Sequence, residues 1–514
     1  MYISELIIEN YKNFNSFSIN FRDGINLIIG QNNTGKSNIL KALAIIFDGS
    51  AKKRLSIDDI NINIPLEELK QHSPKISITA ILTQSEDEDL MGDDLVTISN
   101  WLTSLSNPYS AQIQYEFFLP ETYEAEYKNA LEKASTKDEA RNIIDNKFLR
   151  FYVGKTWVGN PDNQIQVDGE SLSKFDFQFL DAIRDVERNM FSGKNTLLKN
   201  VIDFFMDYDI KSNKDLTEDQ QSGQIAVRKK EFKDISDPLI EKLHNRLDSG
   251  KTKILSYASD VGALFDKSEP DFEGKMTENE LYSILQLIVR QGTGMSIPIT
   301  HNGLGYNNLI FMSLLLSKMQ VDSDGKYLGS NAKVFPVLAI EEPEAHLHPT
   351  MQFQLVKFLE KNISDKKVKQ IFITSHSTHI TSSAELDDIV CLYKVDGKSA
   401  AAYPGKVFYG IDENGIKIEK PDSKKYVQRF LDATKSNMLF AEKIIFVEGI
   451  AEQLLVSVFA EYIGKPLEEH HVSVINVGGR YFEHFLYLFD CNKKNTVGRK
   501  IACITDLDPP RKEK

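Results

Sequence analysis

Apolar and polar residues alternate from the start of the chain: Tyr2, Ile3, Leu6, Ile7 and Ile8, then Phe17, Ile19 and Phe21. A period of two marks half-buried strands, so this segment predicts a hairpin, followed by a buried strand over Ile25–Ile29. The period then lengthens: Ile39, Leu40, Leu43 and Ile46 fall on one face of a helix from Ser37 to about Phe47. Strand texture follows at Ile76–Leu82, Ala111–Leu119 and Phe148–Val153. From Asp185 to Val289 the pattern is charged and helical, broken by the polar run Lys211–Gln224. Strands return at Val334–Ile340, Gln370–Thr374 and Ile389–Tyr393, and a charged stretch, Ile411–Lys425, reads as a connector. A new strand–helix unit starts at Lys443, and no internal repeat is visible.

A chain of 514 residues is too long for one core. The texture divides it into 1–184, a helical insertion over 185–289, then 290–410, a connector over 411–442 and a last unit over 443–514. The net charge of −13 offers no overall attraction to phosphate backbones, so any case for nucleic acid has to come from motifs. No apolar run reaches the roughly 20 residues a spanning helix needs, so no membrane is expected. Met1–Phe14 lacks the layout of a signal peptide. Cys391, Cys491 and Cys503 are far apart and suit free thiols in a reducing compartment, which gives a cytoplasmic expectation.

Between the Ile25–Ile29 strand and the helix stands Gly30-Gln31-Asn32-Asn33-Thr34-Gly35-Lys36-Ser37. It has the phosphate-loop spacing in the strand–loop–helix setting that spacing requires. Backbone N–H groups freed by the glycines surround a β-phosphate, and the helix N-terminus adds its positive end. Lys36 reaches the β- and γ-phosphates of ATP, and the Ser37 hydroxyl is placed for Mg²⁺. Val337–Ile340 is a second apolar strand, and it ends in Glu341 and Glu342. Glu341 suits a magnesium held through water, and Glu342 suits positioning or deprotonating the attacking water. Taken alone, an exposed strand end would look the same. The run continues through Ala345-His346-Leu347-His348-Pro349, and the strand Ile371–Thr374 leads to His376, which can hydrogen-bond a γ-phosphate.

The last unit repeats the device with different acids. Lys443–Val447 is an apolar strand running into Glu448-Gly449 and then a helix, and Ile501–Ile504 leads to Asp506 and Asp508. If those strands are parallel neighbours, three carboxylates converge at one sheet edge, a donor set for Mg²⁺ or Mn²⁺.

The run Ile8-Glu9-Asn10-Tyr11-Lys12-Asn13-Phe14, the Gly30–Ser37 loop and the Glu341–Pro349 run resemble the ATPase domains of the OLD (overcoming lysogenization defect) family and its RecF-like relatives. The last unit is similar to the Toprim domain. The fold so implied is an α/β, ABC-type ATPase head with a helical insertion, followed by a Rossmann-like Toprim domain. The resemblance implies that two heads face each other, each closing the other's site with a signature loop. The matching segment carries Asn302, Gly303 and Gly305 before an apolar helix over Leu309–Leu316, and the helical insertion is expected to dimerise. By the same analogy Lys12 lies near the nucleotide and Gln84 is a candidate for the switch loop. Glu448, Asp506 and Asp508 become metal ligands, Glu448 also a base, and Glu452, one helical turn on, serves a second ion. The relatives' Toprim domains run further, so Lys514 is expected to truncate this one. The function implied is an ATP-regulated, metal-dependent DNA endonuclease of antiphage defence, working alone or with a helicase or retron partner. The alternative is a non-cleaving RecF-like clamp or scaffold, with a topoisomerase or primase third.

Overall fold

A computed structural model of the chain describes all residues except 50–53, 86–92, 105, 164, 183–200, 203–204, 212, 214, 261–287, 291–295, 299–302, 324–331, 412–416 and 507–514. The molecule falls into two compact units, one of Met1–Arg184 with Asp322–Lys514 and one of Asp185–Val321. Along the chain the strands are β1 (Tyr2–Tyr11), β2 (Phe14–Asn20), β3 (Gly24–Gly30), β4 (Ile76–Thr83), β5 (Leu102–Ser104), β6 (Ser110–Phe118), β7 (Val153–Val158), β8 (Ile165–Gln166) and β9 (Phe175–Leu180). The second unit holds β10 (Ile288–Arg290) and β11 (Ser296–Pro298). There follow β12 (Phe335–Glu341), β13 (Gln370–Ser375), β14 (Ile389–Val395), β15 (Lys398–Ala402), β16 (Tyr409–Ile411), β17 (Lys417–Glu419), β18 (Lys443–Val447), β19 (Val472–Asn476) and β20 (Lys500–Ile504).

In the first unit an antiparallel sheet has the order β2-β1-β4-β6-β7-β8, with β5 paired to β6. A second sheet runs β15-β14-β3-β13-β12-β9, parallel from β14 through β9 with only β15 antiparallel. Between them lies helix α1 (Lys36–Phe47), which touches β4 and β6 on one side and β9 and β12 on the other. Its apolar residues surround the axis, as burial between two sheets requires: Ile39, Leu40, Ala42, Leu43, Ile46 and Phe47 are all inaccessible or nearly so. Phe47 stacks on Phe175 of β9 at 4.9 Å, and Phe175 stacks in turn on Phe335 of β12 at 4.3 Å and on Trp101 at 5.4 Å. This aromatic stack ties the nucleotide-side sheet to the antiparallel one. The α/β head expected from the sequence is the architecture found.

Two local expectations are corrected. Phe148–Val153 is not a strand: Ile144–Phe151 is helical, because Ile144 and Phe148 turn inward together, Phe148 meeting the Tyr127 ring at 5.3 Å. The strand begins only at Val153. Nor is the stretch after 420 a bare spacer. Helix Pro421–Phe430 sets Tyr426 against His484, Tyr481 and Phe485 at 4.3, 5.5 and 6.0 Å, so it packs onto the last unit. That last part forms a three-stranded parallel sheet, β19-β18-β20, with helix Ile450–Tyr462 between β18 and β19 in the chain.

The second unit carries helix Glu218–Asp260, the β10–β11 hairpin and helix Leu304–Asp322. Among the described residues no helix is long and apolar enough to cross a membrane. All three cysteines are free.

Candidate functional site

The phosphate loop leaves β3 at its C-terminal edge, in the middle of the parallel sheet. Gly30 has φ 149°, and a Cβ there would lie 2.3 Å from the Leu392 carbonyl oxygen of β14. Gly35 has φ 101°, and a Cβ would strike Phe14 and Asn13. Both positions therefore require glycine, for backbone conformation and for space. Thr34 bonds the Gln31 carbonyl at 2.8 Å and closes the turn. Asn32 and Asn33 are exposed on its outside. Lys36 Nζ donates to the carbonyls of Gly30 and Gln31 at 2.9 and 2.8 Å. Burial pulls its pKa down to about 8, against the upward pull of Glu342, Glu344 and Glu341.

Asn13 buttresses the loop, which the sequence did not reveal. Its amide donates to the Thr34 carbonyl at 3.3 Å and to Ser399 at 3.2 Å, and it accepts from Asn38 at 2.6 Å. Its neighbour Lys12, the residue expected near the nucleotide, is instead paired with Asp59 at 3.3 Å. Gln84 turns its side chain to the backbone of Tyr109 at 3.3 Å.

β12 brings the acid pair to the same edge, flanked by β13 and β9. Glu341 is the last strand residue and only 6% exposed. Burial pushes its carboxyl above the usual range; the Ser37 hydroxyl beside it pulls the other way, and the nearby Asp181 adds to the rise. Asp181 directly follows β9, and no sequence signal singled it out. Parallel pairing of β9 with β12 is what brings it to Glu341. Glu342 then leaves the strand with φ 43°, a left-handed conformation that costs a non-glycine residue about 1–3 kcal/mol. Its amide is held by the Thr374 carbonyl at 2.9 Å, and its side chain is 41% exposed. Successive residues at one strand end thus give one buried carboxylate and one solvent-facing carboxylate.

His376 Nε2 lies 3.6 Å from Glu342 Oε1, longer than a hydrogen bond. Burial first, and Lys36 second, lower the imidazole pKa, with Glu342 opposing. Burial and Lys36 thus both favour the neutral ring. Glu344 anchors the main chain at His376: Oε1 accepts the His376 amide at 2.7 Å and the Ser375 hydroxyl at 3.0 Å. Burial raises the pKa of Glu344 as well. Four acids thus crowd this edge beside Lys36 and Lys41, a balance that favours an added cation; Glu341, Asp181 and Ser37 are oxygen donors that could hold a divalent one.

In the second unit, Asn302 lies outside the described residues. Gly303 is exposed with open space around its Cα, and the helix begins at Leu304, earlier than expected, so Gly305 sits buried in its first turn.

At the other end of the first unit, β18 pairs with β20 so that Val447 faces Ile504, and with β19 so that Val447 faces Asn476. The residues just beyond the strands therefore meet. Glu448 Oε1 accepts the Asp506 amide at 3.2 Å and the Thr505 hydroxyl, and it lies 3.4 Å from Arg480 Nε. The Glu452 carboxylate lies back against Gly449. Asp508 is outside the described residues. Among the described residues no three His, Cys, Asp or Glu form a finished metal cage. The oxygen donors of Glu448 and Asp506, with a guanidinium already standing at them, fit a hard divalent cation.

Residues 1–381 match the family model of the AAA ATPase domain, and residues 439–508 match the TOPRIM domain of overcoming-lysogenization-defect-like proteins. The chain is 22% identical to "Endonuclease GajA" of Bacillus cereus (strain HuB5-5), over 99% of this chain and 77% of that protein. It is 22% identical to "Old nuclease" of Escherichia phage P2, over 98% of this chain and 77% of that protein. A shorter likeness, 24% identity over 40% of this chain and 59% of the other, is to "DNA replication and repair protein RecF" of Shewanella pealeana.

Proposed function

The chain belongs to the AAA ATPase domain family and carries an OLD-like TOPRIM domain, and from that premise we propose that it is an ATP-controlled, divalent-metal-dependent DNA endonuclease of antiphage defence. The observation that carries the reading is the pairing of β18 with β20, which sets Glu448 beside Thr505 and Asp506 at one parallel-sheet edge.

In this reading Lys36 and the loop amides of Asn32–Ser37 hold the triphosphate, and Ser37 with Glu341 holds Mg²⁺. Glu342, exposed and close to His376, receives the proton of the attacking water, and neutral His376 steadies the γ-phosphate. Glu448, Asp506 and Asp508, with Glu452 nearby, hold Mg²⁺ or Mn²⁺ at the cutting edge. A cation there supplies charge for the developing alkoxide and an acidified water. Control by ATP has a physical route. Gln31 of the phosphate loop donates to the Phe440 carbonyl at 3.1 Å, three residues before the strand that leads into Glu448. Gly303 and Gly305 close the site of a second copy, so the working form is a dimer or larger.

The likeness to RecF over the ATPase part supports a second reading, a non-cleaving clamp. A plasmid-nicking assay beside a phosphate-release assay separates the two. Asp506→Ala with Asp508→Ala is expected to lose Mg²⁺- or Mn²⁺-dependent nicking and keep ATP hydrolysis. Metal-dependent nicking by the double variant would place the cutting centre elsewhere, and a wild type that cuts no DNA offered would favour the clamp.

A further inference from the structure

We propose that a cavity beside the Glu448–Asp506 edge seats one unpaired nucleobase of the DNA, held by the carboxamides of Gln453 and Asn476. The proposal rests on the nuclease reading and deepens it, from where the metal is held to how the strand beside it is gripped.

The cavity encloses about 260 Å³ between the first turn of helix Ile450–Tyr462, the end of β19 and the segment at Thr434 and Lys435. Val474 and Ile475 give it an apolar wall, and Gln453, Asn476, Thr434 and Lys435 bring polar groups to it. Its place relative to the acids is set by the backbone. Gln453 directly follows Glu452, and its amide donates to the Gly449 carbonyl at 3.2 Å. On the other side Asn476 ends β19 opposite Val447, and the turn after it is fastened to β18. The Val477 amide donates to the Val447 carbonyl at 3.0 Å and the Gly479 amide to the Glu448 carbonyl at 2.8 Å. Gly478, also on the cavity wall, stands between those two bonds, where a Cβ would meet nothing within 4 Å. The cavity is thus built on the same turn that is bonded to Glu448.

The groups on the wall select a base over a phosphate. A phosphodiester only accepts hydrogen bonds, whereas base edges carry donors as well as acceptors. The wall offers both kinds. Asn476 commits its Oδ1 to the Gly478 amide at 2.8 Å, which leaves its NH₂ group to donate. Gln453 has both ends of its carboxamide unengaged among the described residues. The cation of the cavity is already matched: Lys435 Nζ donates to Asp432 at 2.7 Å, and the Thr434 hydroxyl donates to the same carboxylate at 2.5 Å. A neutralised ammonium draws a phosphate only weakly.

Size points the same way. Pockets for drug-sized ligands run to about 300–1,000 Å³, so this one has room for a single flat ring system and not for a length of strand. A base reaches such a wall only when it is out of the stack, and one that is already unpaired does so at least cost.

The test uses the whole chain without ATP, with Ca²⁺ in place of Mg²⁺ or Mn²⁺ so that DNA is bound and not cut. One fluorescent duplex carries a single bulged thymidine, a second a bulged deoxyadenosine, and a third an abasic residue at the same place. Wild type is expected to bind a bulged base about tenfold more tightly than the abasic bulge, the size of one good base-edge contact. Gln453→Ala should reduce that ratio to about threefold, through loss of a neutral hydrogen-bonding group. Asn476→Asp keeps the oxygen that bonds Gly478 and removes the NH₂ donor, and should reduce the ratio likewise. The salt slope of Gln453→Ala should match that of wild type, because no phosphate contact is removed. A wild type that binds base and abasic bulges equally, or a ratio unchanged in both variants, overturns the proposal. A wild type that binds none of the duplexes overturns the nuclease reading itself.

Discussion

β12 and β18 are both apolar strands in the interior of parallel sheets, and both run out into carboxylates, yet their surroundings differ. β12 is buried along its whole length, and Glu341 ends it 6% exposed, with a raised pKa and Ser37 and Asp181 against it. β18 has one open neighbour: the residues of β20 are mostly exposed, as is Asp506 beyond it. The helix that follows β18 presents Ile450, Leu454, Val458, Phe459 and Tyr462 to solvent, whereas α1, which follows β3, is buried at nine of its twelve residues. One site is assembled by core packing, and the other sits at a margin. A buried site holds its polar groups in fixed places and pays in shifted pKa values.

The comparison can be tested most severely at the buried site. Glu342→Gln is expected to slow ATP hydrolysis about a thousandfold while leaving ATP binding intact, since proton transfer by a placed base contributes about 10²–10⁴. Steady-state phosphate release near the wild-type rate would move the base elsewhere. Lys36→Ala comes next, with ATP affinity falling about a hundredfold, equivalent to about 2.7 kcal/mol. Titration calorimetry showing unchanged affinity would remove the loop from the nucleotide site.

A smaller effect follows from pH. Burial holds the pKa of Lys36 at about 8, so above that value the amine is neutral before ligand arrives and must take up a proton to meet the phosphates. ATP affinity should therefore fall by up to about tenfold per pH unit above 8, with proton uptake visible across buffers of different ionisation enthalpy. Affinity that rises above pH 8 would contradict a buried, functional ammonium. The smallest effect belongs to the open side. Leu454→Ala, at a residue 65% exposed, should change unfolding free energy by no more than about 0.5 kcal/mol. A loss of 2 kcal/mol or more in urea unfolding would mean that this helix face is covered in solution, and the contrast with α1 would fail.

Some of the site was legible because its signal is local. The Gly30–Ser37 spacing encodes its own turn and helix start, and an apolar strand ending in acids announces Glu341–Glu342 and Glu448 within a few residues. The helix starts at Leu304, ahead of the apolar run Leu309–Leu316, because Gly303, Leu304 and Gly305 carry no apolar period. The apolar run Phe148–Val153 fits either period, and contact with Tyr127 decides for the helix.

What the sequence by itself determined was the local patterns: a phosphate-loop spacing, acid-ended strands, and an ATPase followed by a Toprim segment. These rest on neighbouring residues and on periodicity, which need no partner to be read. Only the tertiary structure decided that Asp181 joins Glu341 and that Asn13 and Ser399 brace the loop. It alone set Glu344 to hold His376, and Arg480 to stand over Glu448. Each of those pairs is joined by strand order or by a turn pinned to a neighbouring strand, and strand order is set by how whole sheets bury their faces, a property no single segment contains.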